Sequence, residues 1–112
     1  MAFIKFVVQL LGGDSADLPV TVTTPLPVTL TLAGGPQTIA FEVQNVLSIP
    51  VTIENIAPTI LTGDPAAIDV TMLDTVMSFA AGETKASSMT VTPNLEILEG
   101  TPFEVEINGV SA

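Results

Sequence analysis

The chain has 112 residues, of which 47% are hydrophobic and 12% charged, and its formal net charge at pH 7 is −10. This length suits one domain with a single core, and the charged share is about half of that in typical soluble domains. Because the chain has two lysines, no arginine and no histidine, it lacks the cation clusters that bind nucleic acid or anionic lipid. We therefore expect no nucleic-acid partner and no membrane insertion.

Missing residue types exclude further classes of function. The chain has no cysteine, so disulfides, thiol chemistry and cysteine-based metal sites are excluded. Without histidine, cysteine and arginine, it also lacks the usual general bases, thiol nucleophiles and oxyanion clamps of enzymes. We therefore expect no enzymatic activity and no cofactor.

The first predicted element is an apolar stretch at the N-terminus. Residues 3–10 are rich in Phe, Ile and Val and predict a β-strand, and Gly12 and Gly13 predict a turn or hinge after it. The stretch is too short to span a membrane and is followed by no convincing signal-peptide cleavage site. We divide the chain into an apolar N-terminal strand or arm, residues 1–14, and a sandwich domain, residues 15–112.

Two placements of this arm are open. It is either the first strand of its own sheet or a strand that adds to the sheet of a neighbouring subunit. The second placement predicts an assembly interface made of the apolar side chains of the arm. These residues are Phe3, Ile4, Phe6, Val7, Val8 and Leu10.

Two strands are predicted next, separated by prolines. Residues 18–24 and 26–32 alternate apolar residues with threonine, which is the pattern of strands with one buried face. Pro25 and Pro27 lie between them. Proline this close to a strand points to a sheet edge or a strand start, where a missing N–H group is tolerated.

The middle of the chain carries the clearest alternation, and the other strands are predicted to be arranged around it. Apolar and polar residues alternate at residues 39–43 and again at residues 49–53. The pattern predicts two neighbouring antiparallel strands joined at residues 45–48. Residues 57–65 contain prolines and a glycine, and they predict a long connection that crosses between sheets.

Further strands are predicted at residues 68–72, 76–79, 84–92 and 102–110. Seven to nine short strands without a long helix predict an all-β, antiparallel β-sandwich. The residues predicted to fill its core are the inward-facing ones of the alternating segments: Ile39, Phe41, Val43, Ile49, Val51, Ile53, Val91, Phe103, Val105 and Ile107.

A series of motifs over residues 28–110 resembles a known family. The motifs are a strand ending at Asn45, Ile49-Pro50-Val51-Thr52-Ile53, Leu61-Thr62-Gly63-Asp64-Pro65-Ala66-Ala67-Ile68-Asp69-Val70, Ala81-Gly82-Glu83-Thr84 and Met89-Thr90-Val91-Thr92-Pro93. In this order they resemble immunoglobulin-like domains of the choice-of-anchor D and abnormal-spindle/hydin type. The resemblance implies an immunoglobulin-like sandwich and a non-catalytic scaffold or adhesion module. The chain also resembles the small immunoglobulin-like decoration and tail proteins of tailed viruses.

Acidic and hydroxyl side chains give the few candidates for chemistry. Asp64, Asp69 and Asp74 lie in or beside predicted loops, where carboxylates bind Ca²⁺, although acidic residues also serve as turn formers there; we predict no bound metal. Lys85 as a base could pair with Ser87 or Ser88 as a nucleophile, but an exposed pair on one strand is typical of solvated surface.

Two acidic side chains lie on the last predicted strand. Glu104 and Glu106 share a face, at about 7 Å from strand geometry. Glycosidases use carboxylate pairs, yet they need a deep cleft and stacking aromatic residues. The pair is therefore predicted to be a solvent-facing stripe that discourages edge pairing.

These observations favour a structural role. The predicted function is a non-catalytic subunit of an ordered assembly, with a virion as its location and capsid decoration or tail assembly as its task. Its partners are then copies of itself, as a homo-oligomer, or a larger scaffold such as a capsid or tail. The alternative is a cell-surface or secreted module that binds protein or glycan through its loops.

Overall fold

The structure, a computed structural model, describes residues 2–6, 10–11, 17–18, 20–25, 28–98 and 100–111. Turns and prolines divide these residues into strands, and five of the strands have only two or three residues. The strands are β1 (Ala2–Phe6), β2 (Leu10–Leu11), β3 (Asp17–Leu18), β4 (Val20–Val22), β5 (Thr29–Leu30), β6 (Gln37–Gln44), β7 (Val51–Thr62), β8 (Ile68–Met72), β9 (Met77–Phe79), β10 (Thr84–Pro93) and β11 (Thr101–Ser111).

The longer strands form two sheets. One has five strands in the order β5-β1-β11-β7-β9, the other has four in the order β4-β6-β10-β8, and β2 pairs with β3 in a separate ribbon. Neighbouring strands are antiparallel except β1 and β11, which are parallel. The prediction of an all-β fold is confirmed. The part of the chain that the structure describes contains no helix with the length and apolarity of a membrane span.

One apolar core lies between the two sheets. From Ser87 onward along β10 and from Phe103 to Ile107 along β11, every second side chain is buried, as expected for strands with one face against a core. The four-stranded sheet and the five-stranded sheet both contribute to a single cluster of buried residues. Of the residues predicted for the core, eight are at most 1% exposed: Ile39, Phe41, Val43, Ile53, Val91, Phe103, Val105 and Ile107.

The other two predicted core residues differ. Val51 is partly buried and packs against the core cluster. Ile49 is 62% exposed, so its assignment to the core is wrong. The physical reason is that β7 begins only at Val51, and Ile49 belongs to the preceding loop, where its carbonyl oxygen accepts a hydrogen bond from the side chain of Asn45.

The two strands predicted to be neighbours lie in opposite sheets. β6 pairs with β4 and β10, whereas β7 pairs with β11 and β9. Residues 45–50 therefore cross from one sheet to the other instead of forming a hairpin turn. Alternation of apolar residues reports that one face of a strand is buried. It does not report which strand lies alongside.

The connection predicted at residues 57–65 is mostly strand. Residues 57–62 complete the twelve-residue β7 and pair with β11. Asn55 has a φ of 55° opposite a register shift between Asn108 and Val110, which marks a β-bulge. The prolines and the glycine of this segment suggested a loop, but pairing with β11 extends the strand through Pro58.

The segments on either side of the prolines form shorter strands than predicted. Of residues 18–24 and 26–32, only β3, β4 and β5 are paired in the described part of the chain. These strands lie at sheet edges or in the separate ribbon. This placement agrees with the rule that proline is tolerated near edges.

The N-terminal strand lies inside its own sheet. β1 runs parallel to β11 from the pair Ala2 and Thr101 to the pair Phe6 and Val105, and Ala2 and Phe3 also pair with β5. Of the two placements left open by the sequence, β1 in this chain takes the first.

Candidate interaction surfaces

The residues predicted for an assembly interface are divided between two strands. Phe3, Ile4 and Phe6 lie in β1 and Leu10 lies in β2, whereas Val7 and Val8 lie outside the described residues. Because β1 is hydrogen-bonded to β11 along five register pairs, donating it to a neighbour would first require breaking these pairs. The interface therefore stays a prediction, and forming it would require the loss of the β1–β11 pairing.

One long side of the sandwich is open. β9 pairs only with Val51, Thr52 and Ile53 of β7. Beyond them, residues 57–62 have no neighbouring strand on the side away from β11 within the described residues. We call residues 57–62 the open edge.

A cleft of about 440 Å³, here called the side cleft, lies between the open edge and β8. β8 is the last strand of the opposite sheet, so the cleft lies between the two sheets where neither has a further strand. It is lined by Pro58, Thr59, Ile60, Pro65, Ile68, Asp69 and Val70.

A second, smaller cleft opens where β7 and β10 end and β8 and β11 begin; we call this the cleft end of the sandwich. Its volume is about 200 Å³, and it is lined by Asp64, Ala67, Leu95, Glu96, Ile97, Leu98, Thr101 and Phe103. The turn at residues 63–67 separates it from the side cleft, since Pro65 lines one and Asp64 and Ala67 line the other.

The turn between the clefts is held by local contacts. Oδ1 of Asp64 accepts a hydrogen bond from the Ala66 N–H at 2.9 Å, and the Ala67 carbonyl oxygen accepts one from Asn94 N–H at 2.8 Å. Gly63 has a φ of 105° and packs directly on the ring of Phe103. A side chain at this position would be both strained and blocked by the ring, so the sequence of the turn determines the shape of both clefts.

Large apolar side chains are exposed at both ends of the sandwich. At the cleft end, Leu98 is 82% exposed. At the opposite end, Leu73 is 70% exposed. The full set at the cleft end is Leu32, Leu61, Leu95 and Leu98, and at the opposite end it is Val46, Ile49, Leu73, Val76 and Val110.

A buried asparagine organises the end opposite the clefts, which we call the Asn45 end. The Asn45 side chain is fully buried, and its amide group donates to the carbonyl oxygens of Ile49, at 2.9 Å, and Ala80, at 3.0 Å. Its side-chain oxygen accepts from Leu47 N–H, and its own N–H donates to the Glu83 carbonyl. One side chain therefore joins two loops.

The sequence indicated Asn45 only as the residue at which a strand ends. A buried role for it could have been inferred because an asparagine directly after a half-buried strand is a typical loop-forming residue that bonds to nearby backbone. Its bond to Ala80, thirty-five residues away, depends on the tertiary fold and had no local signal.

The three calcium candidates do not come together. Asp64 and Asp69 lie toward the cleft end, and Asp74 lies at the Asn45 end, where its Oδ2 accepts a hydrogen bond from Ser87 Oγ at 2.7 Å. Over the described residues, no three acidic side chains are grouped in a way that could hold a metal ion. Asp64 instead holds its own turn.

The Ser–Lys pair is also separated by other partners. Lys85 Nζ lies 3.9 Å from Glu83 Oε1 and 5.9 Å from the ring centroid of Phe79. Ser87 donates to Asp74. The two side chains therefore have different partners, and no hydrogen bond joins a base to a nucleophile in the way that this chemistry requires.

The acidic pair of β11 lies on the face away from the core. Glu104 and Glu106 are partly buried, and in register they lie opposite Thr62 and Thr59 of β7. On the other side of β11, Lys5 is the register partner of Glu104. Neither the side cleft nor the smaller cleft is lined by Glu104 or Glu106.

No protein-family model matches the chain, and no curated protein shows significant similarity to it.

Proposed function

We propose that the chain is a non-catalytic structural subunit of an ordered protein assembly, with a virus particle as its setting. Its partners are copies of itself or a larger scaffold. The observation that carries this proposal is the grouping of exposed apolar side chains at both ends of the sandwich. Single exposed apolar residues are normal on monomers, but grouped ones mark interaction surfaces.

The charge of the chain supports a protein partner. The chain has a net charge of −10, with 12% charged residues and two lysines. Its surface therefore has few charged groups to solvate it and hardly any cations. Of the described side chains, Lys85 already lies near Glu83. Interface centres are depleted in charged residues, and the low charged share of this chain, 12%, suits such a surface.

The sandwich is further proposed to be immunoglobulin-like. Its four-stranded order β4-β6-β10-β8 corresponds to the order A-B-E-D of that fold, with β7 and β11 in the places of strands C and F. β1 occupies the place beside β11 where strand G would lie. Two departures are β1, which runs parallel to β11, and β9, which follows β8 in the chain yet pairs with β7.

A cell-surface or secreted binding module is the second candidate. The two clefts favour it, because loops at one end of a rigid sandwich commonly carry binding residues. In that case the chain would stay monomeric and its ligand would contact the turn at residues 63–67.

The native mass in solution tests the first proposal. We expect sedimentation of the full chain to give a multimer of the 11.6 kDa subunit, favoured by high salt because salt screens repulsion between acidic subunits. A chain that stays monomeric at all salt and protein concentrations, and also fails to join a scaffold, would contradict it.

Variants at the two ends locate the contact. Leu98→Asp and Leu73→Asp change strongly exposed residues, so each should leave the fold intact and one should lower the association constant. Thr38→Asp is the matched control, since it adds the same charge at an exposed position on β6. If all three variants associate as strongly as the unaltered chain, neither end is the interface.

A further inference from the structure

The open edge is a six-residue stretch of the five-stranded sheet that has no neighbouring strand on one side, within the described residues. β9 ends its pairing with β7 at Ile53, and Ile56 N–H donates to the Thr75 carbonyl oxygen at 2.9 Å. From residue 57 onward no strand accompanies β7 on this side. Alternate residues of a strand direct their N–H and C=O groups to the same side, so by alternation from Ile56 the groups of Pro58 and Ile60 face the open side. These groups form a template to which another strand can add, and Pro58 contributes only its C=O group.

The side chains beside this edge are incompletely covered. On β7, Ile53 and Ile56 are buried, whereas Pro58 and Ile60 are only partly buried. Across the side cleft, Ile68 is buried and Val70 is partly buried. An added strand would place alternate side chains over these residues, as β9 places Met77 and Phe79 over the first part of β7.

We propose that the open edge is the docking site of an extended, cationic segment of a partner protein, which adds to β7 as a further strand in line with β9. Backbone hydrogen bonds to residues 57–62 would hold the segment, as in other cases of strand addition. Apolar side chains at every second position of the segment would enter the side cleft between Ile60 and Val70.

Charge decides the chemistry of the segment. The open edge itself carries no charge, but Glu54 precedes it, Asp64 follows it and Asp69 lines the side cleft. In the described part of the chain, Lys85 lies near Glu83 and Phe79 and away from this cleft. A lysine or arginine of the partner would therefore meet only carboxylates at this edge.

The same charges disfavour a second copy of this chain as the occupant. If two copies paired antiparallel through residues 57–62, Glu54 of one copy would lie near Asp64 of the other. Like charges in such positions destabilise strand pairing, and each copy adds a net charge of −10. A cationic segment from a different protein avoids this repulsion.

The inference deepens the proposed function and rests on its expectation of a protein partner. Its test uses the full chain and two labelled nine-residue peptides: one alternates valine with lysine and threonine, and the other has glutamate in place of lysine. By fluorescence anisotropy, we expect the lysine peptide to bind at least about tenfold more tightly than the glutamate peptide.

Backbone methylation of the lysine peptide separates strand addition from simple charge attraction. Two versions carry N-methyl groups on opposite edges of the extended peptide, so charge and side chains stay the same. Because only one edge can pair with β7, one version should lose at least about tenfold in affinity while the other keeps the parent value.

Matched protein variants localise the site. Asp69→Lys should lower affinity for the lysine peptide about fivefold or more, because it replaces an attraction by a repulsion in the side cleft. Glu42→Lys makes the same change in net charge at an exposed position of β6 in the other sheet. This control should stay within about twofold of the unaltered chain.

Several results would overturn the proposal. These are no binding of the lysine peptide, equal binding by both methylated versions, or equal losses in the two charge variants. A dimer that Ile60→Lys prevents, in a chain that binds neither peptide, would assign the open edge to a second copy. A chain that assembles without binding the peptide would refute this inference alone, whereas a monomer that binds it would count against self-assembly alone.

Discussion

The two halves of β7 form one strand with one partner, β11, yet they differ in what covers their other side. Residues 51–53 pair with β9, and Thr52 Oγ1 and Ser78 Oγ lie 3.1 Å apart across that pair. In the other half, Pro58, Thr59 and Ile60 line the side cleft. The difference teaches that burial in a sandwich depends on the neighbouring strand as much as on the residue itself. Ile53, in the half beside β9, is fully buried, whereas Ile60, in the other half, is only partly buried.

Removal of core volume from the covered half should have the largest effect. Ile53 is fully buried, so Ile53→Ala should lower the free energy of unfolding by about 2–5 kcal/mol. Because the chain has no tryptophan or tyrosine, far-UV circular dichroism in urea is the suitable measurement. A loss below about 1 kcal/mol would mean that the covered half is looser than described.

The buried asparagine beside the covered half comes next. Asn45→Ala leaves the carbonyl groups of Ile49 and Ala80 without the side-chain donor that they now have. Each unsatisfied buried group costs about 1–3 kcal/mol, and we expect a loss near 2–3 kcal/mol because water reaches the loops in part. Urea unfolding measures it, and Gln44→Ala, an exposed neighbour, serves as the control. Similar losses in both variants would contradict a special role for Asn45.

The junction of the two halves can be broken at the bulge. A methyl group on Gly109 would collide with the side chain of Ile53 and press on Ile56, so Gly109→Ala should cost about 1–3 kcal/mol through local overpacking. If unfolding in urea is unchanged, the bulge adapts more readily than its contacts imply. The double variant Gly109→Ala and Ile53→Ala should lose less stability than the sum of the two single losses. The reason is that Ile53→Ala removes the side chain that obstructs the new methyl group.

The open half should tolerate the same truncation best. Ile60 is only partly buried, so Ile60→Ala should cost about 1 kcal/mol, below the usual range for a fully buried isoleucine. The pair Ile53→Ala and Ile60→Ala compares one residue type in one strand. Equal losses for the two would show that the halves of β7 are covered alike.

Sequence patterns predicted most of the individual strands and the residues that face the core. Phe103, Val105 and Ile107 alternate with polar residues along β11 and are buried as expected. Alternation was misleading for Ile49, because the first residues of the pattern lie in a loop held by Asn45. It also could not identify partners, so β6 and β7 were expected to be neighbours although they lie in different sheets.

The open edge could not be predicted for a related reason. Ala57 and Pro58 lie in a segment that looks like a connection, and Pro58 is tolerated in a strand that has no neighbour on one side. Whether a strand has such a neighbour depends on how far β9 extends, and β9 is only three residues long. The side cleft is thus set by a long-range pairing and not by any local pattern.

The central position of β11 constrains how the chain is made. A ribosome synthesises β11 after the other ten strands of the described chain, yet β11 is the strand that joins β1 to β7. Until it emerges, the five-stranded sheet has no centre, and the edges of β1 and β7 that pair with β11 remain unpaired. Pairing that spans nearly the whole sequence is slow to form and open to aggregation, so the yield of folded protein should depend on how crowded the nascent chains are.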